Sequence, residues 1–573
     1  MKKARRVFAC LVLTFLTGNV YPIDSPNSLN ESIRAVDELT KQRREADVEK
    51  EVDAIRKSAV EPPSAEDERN RQANSGIDNI DFDTISVDHI EILNDGNSPA
   101  VDIINLYIHR ELTTSQIKDL LRSLNQKYSD LGFVTSYARV VRYDRSSKTL
   151  FLIIEWGKIG NISVNGKPLS DLTLLERADF TFAMPGLEGG VLNMRDIDQL
   201  LENISTLRRS VTLSVRPGKK IGYSDIDFTV KEGQLFQLGV TFDNSGSHRT
   251  HGKYKSGIDL TTSNLIIPND RLSANFGYRF FNHKSDGERS ENSVYLSYSV
   301  PLGYSTIDLS YSSVNARSLL SGYYGEYRNR STSEQGSVKI SHVVDRNAKG
   351  KTAIWGAFAL RNPINYFEGM LIDVSSRAYT QLSLGLTKTV VFDDGSAYQD
   401  ISWATGVPWF SNARGGFENE SERYHLIQGN TFIQKKFSIN DINSILGVRG
   451  GFQWTNDSLL GLDQMFLGDV YTVRGFKGNP LIGDKGAFSA QTVSFPIYVE
   501  SLAMQISPRV GIDFGVAKEN RIDSNWGHII GASIGLDVAS KFANASLTLG
   551  FPVATNLEYK KKTVLYFSLS SRF

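Results

Sequence analysis

Cysteine is almost missing from this 573-residue chain, whose single one is Cys10. The body of the chain can therefore form neither disulfides nor thiolate metal sites. Net charge is missing as well: Lys+Arg and Asp+Glu both number 64, a balance that argues against a dedicated nucleic-acid binder. Past the N-terminus no apolar run is long enough to cross a bilayer as a helix, and mean hydropathy is −0.26. That excludes a helical membrane protein and leaves open a membrane β-barrel, whose spans are short and half polar. Catalytic groupings are also scarce. Among the eight histidines only His248 and His251 lie close together, in a stretch that reads as a surface turn, so no metal is expected. Gly531-Ala-Ser533-Ile-Gly535 matches G-x-S-x-G, yet it lies within an alternating segment instead of a strand-turn-helix. Gly160–Lys167 has five residues between its glycines and Pro168 after the lysine, which suits a β-turn better than a phosphate loop. No cofactor and no enzymatic activity are expected.

What is present begins with export. Residues 1–20 place Lys2, Lys3, Arg5 and Arg6 ahead of the apolar run Val7–Leu16, the layout of a secretory signal peptide. Residues 29–60 are densely charged, with Val48, Val52, Ile55 and Ala59 at helical spacing and Asn30 as a candidate cap. So thin an apolar stripe suits water or a polar lumen and cannot anchor a core. Pro62-Pro63 opens a polar linker over 61–77.

Residues 78–157 and 158–232 read as two copies of one β-α-α-β-β unit. The first has strands at Ile85–Ile92, Phe133–Val141 and Thr149–Trp156, with a helix over Ser115–Asp130. The second has strands at Ile159–Val164, Val211–Val215 and Ser224–Val230, with a helix over Asp196–Leu207. Short extra helices fit around 100–109 and 171–178.

From Gly233 to Phe573 the period becomes two. Leu272, Ala274, Phe276 and Tyr278 share one face, while Arg271, Ser273, Asn275 and Gly277 share the other; Val294–Val300, Leu382–Leu386 and Leu547–Phe551 repeat the pattern. Aromatic-rich apolar faces alternating with Ser, Gly, Asn and Arg over so long a span predict a transmembrane antiparallel barrel. At roughly twenty residues per strand and loop, about sixteen strands are expected. The C-terminus, TVLYFSLSSRF, aligns Leu565, Phe567, Leu569 and Phe573 on one face and resembles the signal by which outer-membrane barrels are assembled.

Two late stretches break the pattern. Leu462–Phe488 is glycine-rich and weakly alternating, so it reads as a loop, with Arg474 between Val473 and Gly475-Phe476. Pro508–Ala517 is a clean strand whose Asp513 faces away from Val510, Ile512 and Phe514, into the lumen. A loop arginine folded inside could meet that carboxylate, and in a watery lumen the pair would be worth on the order of 1 kcal/mol. An Asp513 lining a solvated pore, with Arg474 at the surface, is the plainer alternative.

At these residues the chain resembles the two-partner secretion transporters of the TpsB type, within the superfamily of POTRA-bearing outer-membrane barrels. YSDLGFVTS (128–136), LNMRDIDQLLENI (192–204), DNSGS (243–247), the Val473–Phe476 motif and the flank Gly483, Asp484 and Gly486 agree. The resemblance implies that Val473-Arg474-Gly475-Phe476 is a loop tip tucked inside the barrel, that Asp513 in Gly511-Ile512-Asp513 is its wall partner, and that the 29–60 helix plugs the resting pore. It further implies a large secreted exoprotein as cargo, captured unfolded by the two POTRA-like units. Outer-membrane lipid, the barrel-assembly machinery and a monomeric state complete the expectation. A barrel-assembly insertase of the same superfamily and a passive porin are the rival readings.

Overall fold

The computed structural model describes residues 31–58, 84–95, 99–245, 254–280, 289–322, 325–410, 423–520, 524–559 and 562–573. The expected signal peptide, the 61–77 linker, the Asn30 cap, Ala59 and the His248/His251 pair lie outside them.

In the first α/β unit, the helix Thr114–Asp130 starts at a capping box in which Thr113 and Gln116 satisfy each other's backbone N–H groups. Its spaced apolar residues Ile117, Leu120, Leu121, Leu124 and Tyr128 are buried against the sheet. Three strands form that sheet in the order His89–Ile92, Thr149–Glu155, Tyr137–Asp144. Two expectations need correction. The single strand over Ile85–Ile92 is two, because Ile85–Val87 turns aside to pair with Arg110–Leu112. The strand expected at Phe133–Val141 begins at Tyr137, since Phe133 closes a turn by accepting from the Ser136 N–H (3.1 Å) and packs its ring on Trp156.

The second unit carries four strands in the order Lys167–Pro168, Lys158–Val164, Tyr223–Glu232, Arg209–Pro217, covered by helices Leu174–Ala183 and Met194–Ile204. Asn165 and Gly166, both at positive φ, form the turn read from GNISVNGK. The extra helices sit at Val101–Ile104 and Leu174–Ala183, the first shorter than expected and the second later in the chain.

Among the described residues sixteen full strands, from Phe236–Asp243 to Val564–Arg572, form one closed antiparallel barrel. Two short segments, Met370–Leu371 and Ile497–Val499, extend hairpin ends. Closure is by the first strand pairing with the last, Gly239↔Arg572 through Asp243↔Ser568. Alternation sorts the side chains as the period-two pattern demands: Phe276, Leu384, Ile512, Phe514 and Ile534 are exposed outside, while Asn275, Ser383, Asp513 and Ser533 are buried inside. Ser533 of the G-x-S-x-G stretch is thus a wall residue within the strand Gly527–Ser540. The region 315–350, which shows little clean alternation, holds the end of the strand Ser305–Gly322, the longest strand Gly325–Asn347 and the start of Gly350–Phe367. No helix among the described residues is long and apolar enough to cross a membrane.

The helix Glu31–Ser58 runs through this lumen; at 28 residues it is about 42 Å long. Many of its polar residues pair with the wall. Glu38 receives Arg279 (2.9 Å) and Lys255 (3.4 Å), Arg43 meets Asp259 (3.3 Å), Arg44 donates to Asn430 (2.6 Å), Glu45 pairs with Arg449, and Glu51 accepts from Thr389 (2.5 Å). The first turns bury Ile33, Ala35, Val36 and Leu39, an apolar patch that lies N-terminal to the stripe read from the sequence.

The second α/β unit docks on one end of the barrel. Asn203 donates to the Gly303 carbonyl (2.7 Å) and Tyr304 to Asp196 (2.5 Å), while Glu202 receives Arg346 (2.5 Å) and Lys351 (2.8 Å). Burial pushes the Glu202 carboxyl up, yet Lys351 and Arg346 outweigh it and hold it at about 2.

Candidate functional site: a loop held to the barrel wall

The chain between the strands Ile442–Trp454 and Lys485–Ser494 folds back into the lumen. It contains a small hairpin, Met465–Leu467 with Leu481–Gly483, which the reading of Leu462–Phe488 as one loop did not foresee. At its tip Arg474 and Asp513 meet. The Arg474 Nε and Nη2 donate to the two carboxylate oxygens (2.7 and 2.5 Å), and the Arg474 backbone N–H adds a third bond (2.8 Å). The remaining guanidinium donors reach Thr492 Oγ1 (2.9 Å) and the Gln491 carbonyl (3.0 Å).

The pair is dry, contrary to the watery lumen expected: 1% and 0% of the two side chains is exposed. The physical reason is an apolar lid. Val473 and Phe476, both fully buried, pack with Leu467, Leu481, Ala517 and Ile529 and exclude water from the ion pair. A buried bidentate pair gains little net stability over an apolar substitute, but removing one partner leaves an uncompensated charge, costing about 3–5 kcal/mol.

The wall is shaped for this contact by absent side chains. A Cβ on Gly531 would lie 1.7 Å from the Arg474 carbonyl oxygen, and one on Gly550 would lie 2.4 Å from the Gly475 nitrogen. Gly475 itself has φ +103° and lies against the Phe551–Pro552 backbone. Tyr566, on the inward face of the last strand, donates to the Phe476 carbonyl.

The flank Gly483, Asp484 and Gly486 returns the loop to the wall. Asp484 is fully buried and accepts from the Leu459 N–H (3.1 Å), Gln464 Nε2 (3.0 Å) and the Asn520 N–H (2.6 Å). The C-terminal residues lie apart from the loop tip. Phe567 stacks near Phe242 outside the seam, Leu569 pairs in register with Phe242, and Phe573 exchanges backbone bonds with Leu238 while its ring is exposed.

Two further anchors escaped the sequence reading. Asp463, at the loop's start, accepts from Tyr379 (2.6 Å), Tyr424 (2.8 Å), Gln381 (3.0 Å) and Arg361. Its partners come from strands and connections 39 to 102 residues away, so no local spacing could have revealed them. Asp469 joins loop to helix. One oxygen accepts from the N–H groups of Tyr471 and Thr472 and shapes the turn before Val473; the other accepts from Lys41 (2.9 Å).

A closed barrel with an internal arginine-bearing loop, preceded by two α/β units, defines the POTRA-bearing outer-membrane barrels. Residues 83–157 match the POTRA domain of ShlB type and 158–217 a POTRA domain. Residues 222–538 match the haemolysin secretion/activation protein family ShlB/FhaC/HecB, and the chain belongs to that family. It is 28% identical over 453 residues to the outer membrane transporter CdiB of Dickeya dadantii, covering 78% of each chain. It is 24% identical to the hemolysin transporter protein ShlB of Serratia marcescens, covering 74% of each. The solved structure of CdiB from Escherichia coli shares the fold, with a TM-score of 0.80 at 22% identity over 96% of this chain and 100% of that one. The chain is an outer-membrane transporter of two-partner secretion with its POTRA domains in the periplasm. The end of the barrel that holds Glu202 is therefore the periplasmic one.

Proposed function

We propose that this transporter captures one large unfolded exoprotein in the periplasm and threads it, as a monomer, through a lumen that is closed at rest by two removable parts. Those parts are the helix Glu31–Ser58 and the loop fastened by Arg474 and Asp513. The single observation that carries this reading is that both fill the lumen and are fastened to its wall by charged pairs, with only small apolar clusters beside them. Among the described residues, Tyr137–Asp144 in the first POTRA domain and Arg209–Pro217 in the second each lie at a sheet edge, where an extended segment of cargo can add as a strand. The first overlaps the strand read at Phe133–Val141 from the sequence.

No step in this cycle draws on a nucleotide or metal; folding of the exoprotein outside supplies direction. The residues Val473, Arg474, Gly475, Phe476 and Asp513 act by holding and releasing the loop. Phe567, Leu569 and Phe573 would present the assembly machinery with its terminal strand. Arg474→Ala tests the loop's part in transport: the barrel is expected in the outer membrane at normal level, with secretion of the partner sharply reduced. Normal secretion by that variant sinks the role given to the loop.

A further inference from the structure

We propose that Arg449 is a second, waiting partner of Asp513, kept away from it by Glu45 of the helix, so that departure of the helix loosens the loop. The inference rests on the loop-holding role of Arg474 and adds how that hold is regulated.

Strand register supplies the geometry. Arg449 pairs with Ala490, and Ala490 pairs with Asp513, so the three residues form one row across three neighbouring strands. Two interstrand spacings put the outer members about 9.6 Å apart. Only a methyl group stands between them, and an extended arginine covers that gap to a short aspartate. The inward positions flanking the two ends carry no side chain, Gly447 and Gly451 beside Arg449 and Gly511 and Gly515 beside Asp513, while the central strand sets the Phe488 ring against Gly451. The swing therefore passes over Ala490.

In the resting state Arg449 is turned toward the lumen axis, where its Nη1 donates to Glu45. Asp513 meanwhile spends both oxygens on Arg474. When the helix withdraws, Glu45 goes with it and Arg449 is left as an unpaired cation beside a carboxylate. Sharing Asp513 with Arg449 weakens the bidentate contact to Arg474, whose other partners, Thr492 and the Gln491 carbonyl, are neutral. Helix exit thus precedes loop release, and the two parts of the closure open in a fixed order.

The test uses the full chain in intact outer membranes. Lys477→Cys places a thiol just past the loop tip, and its rate of modification by a membrane-impermeant maleimide reports loop withdrawal. The unsubstituted chain serves as blank for Cys10. Glu45→Gln frees Arg449 with the helix still present, and labelling is expected to quicken about fivefold, the scale of one partly exposed ion pair. Adding Arg449→Gln to Glu45→Gln returns the rate to its starting value. Glu51→Gln, which removes a helix contact remote from Arg449, leaves the rate unchanged. An unaltered rate with Glu45→Gln overturns the proposal. So does a double variant as fast as Glu45→Gln alone, because helix loosening and not Arg449 would then expose the loop. Labelling reads loop position and not transport. Normal secretion by Arg474→Ala would therefore strike the proposed function while leaving these rates to be judged separately.

Discussion

Gly531 and Asp513 face each other in register on neighbouring strands, one a missing side chain and the other a charge. The Arg474 backbone lies over the glycine while its guanidinium grips the carboxylate, so the contact needs both. Gly531→Ala is therefore expected to unseat the loop without touching the ion pair's chemistry. Its methyl would lie 1.7 Å from the Arg474 oxygen, the tightest approach at any glycine of that strand. The expected outcome is a barrel that keeps its heat-modifiable mobility, with secretion lowered as in Arg474→Ala. Secretion at parental level would mean that the loop need not seat against the wall. Asp463→Asn tests the other end of the loop. Removing a charge that Arg361 and two tyrosine hydroxyls address should destabilise the loop by about 3 kcal/mol, read as greater protease sensitivity after Trp454. Arg474 and Asp513 were legible in the sequence because each breaks a local pattern, one an arginine among glycines and the other a carboxylate on a clean strand. Asp463 was not, since its meaning depends on partners gathered by barrel closure.

The helix Glu31–Ser58 illustrates an element whose packing follows from its composition. Few apolar residues line it, and its attachment is a ladder of ion pairs of both signs with different strands and with the loop. Pairs of this kind that retain solvent contact weaken as salt screens them. Conductance of the purified transporter in planar bilayers should therefore rise more steeply with salt than bulk conductivity does. Deleting residues 29–60 should raise conductance at every salt concentration and abolish the excess slope. Unchanged conductance on deletion would argue against a plug. Period-two alternation made the barrel strands readable, because lipid outside and a polar lumen inside select opposite residues at successive positions. The helix boundaries and the first-unit strands were less readable. Val87 and Phe133 turn the chain through contacts with Leu112-side residues and Trp156, which no local propensity encodes.

At the scale of the whole molecule, the periplasmic domains and the barrel are joined through Glu202. Its folded-state pKa, about 2, is depressed below the ordinary 4.5, so the ionised form contributes to docking above the ordinary value. That contribution is lost as pH falls from about 4.5 toward about 2. Hydrogen exchange of the helix Met194–Ile204 should accordingly remain slow near pH 7, and Glu202→Gln should speed it at neutral pH. Equal exchange in the two proteins would show that the junction does not depend on this charge. The same Lys351 that holds Glu202 also approaches Glu51 of the lumen helix (3.7 Å), so domain, wall and helix share one cation.

The neck of the loop carries a kinetic consequence. Asp484 fastens the Leu459 N–H beside its own position, so the chain from 459 to 484 is a closed tether whose tip can leave the wall while its ends stay put. A tip so tethered faces Asp513 at an effective concentration of about millimolar. Rebinding is then intramolecular and fast whenever the lumen clears. On the proposed cycle the closure would reset after each passage, and the carboxylate that sets the length of the tether would be what makes the transporter reusable.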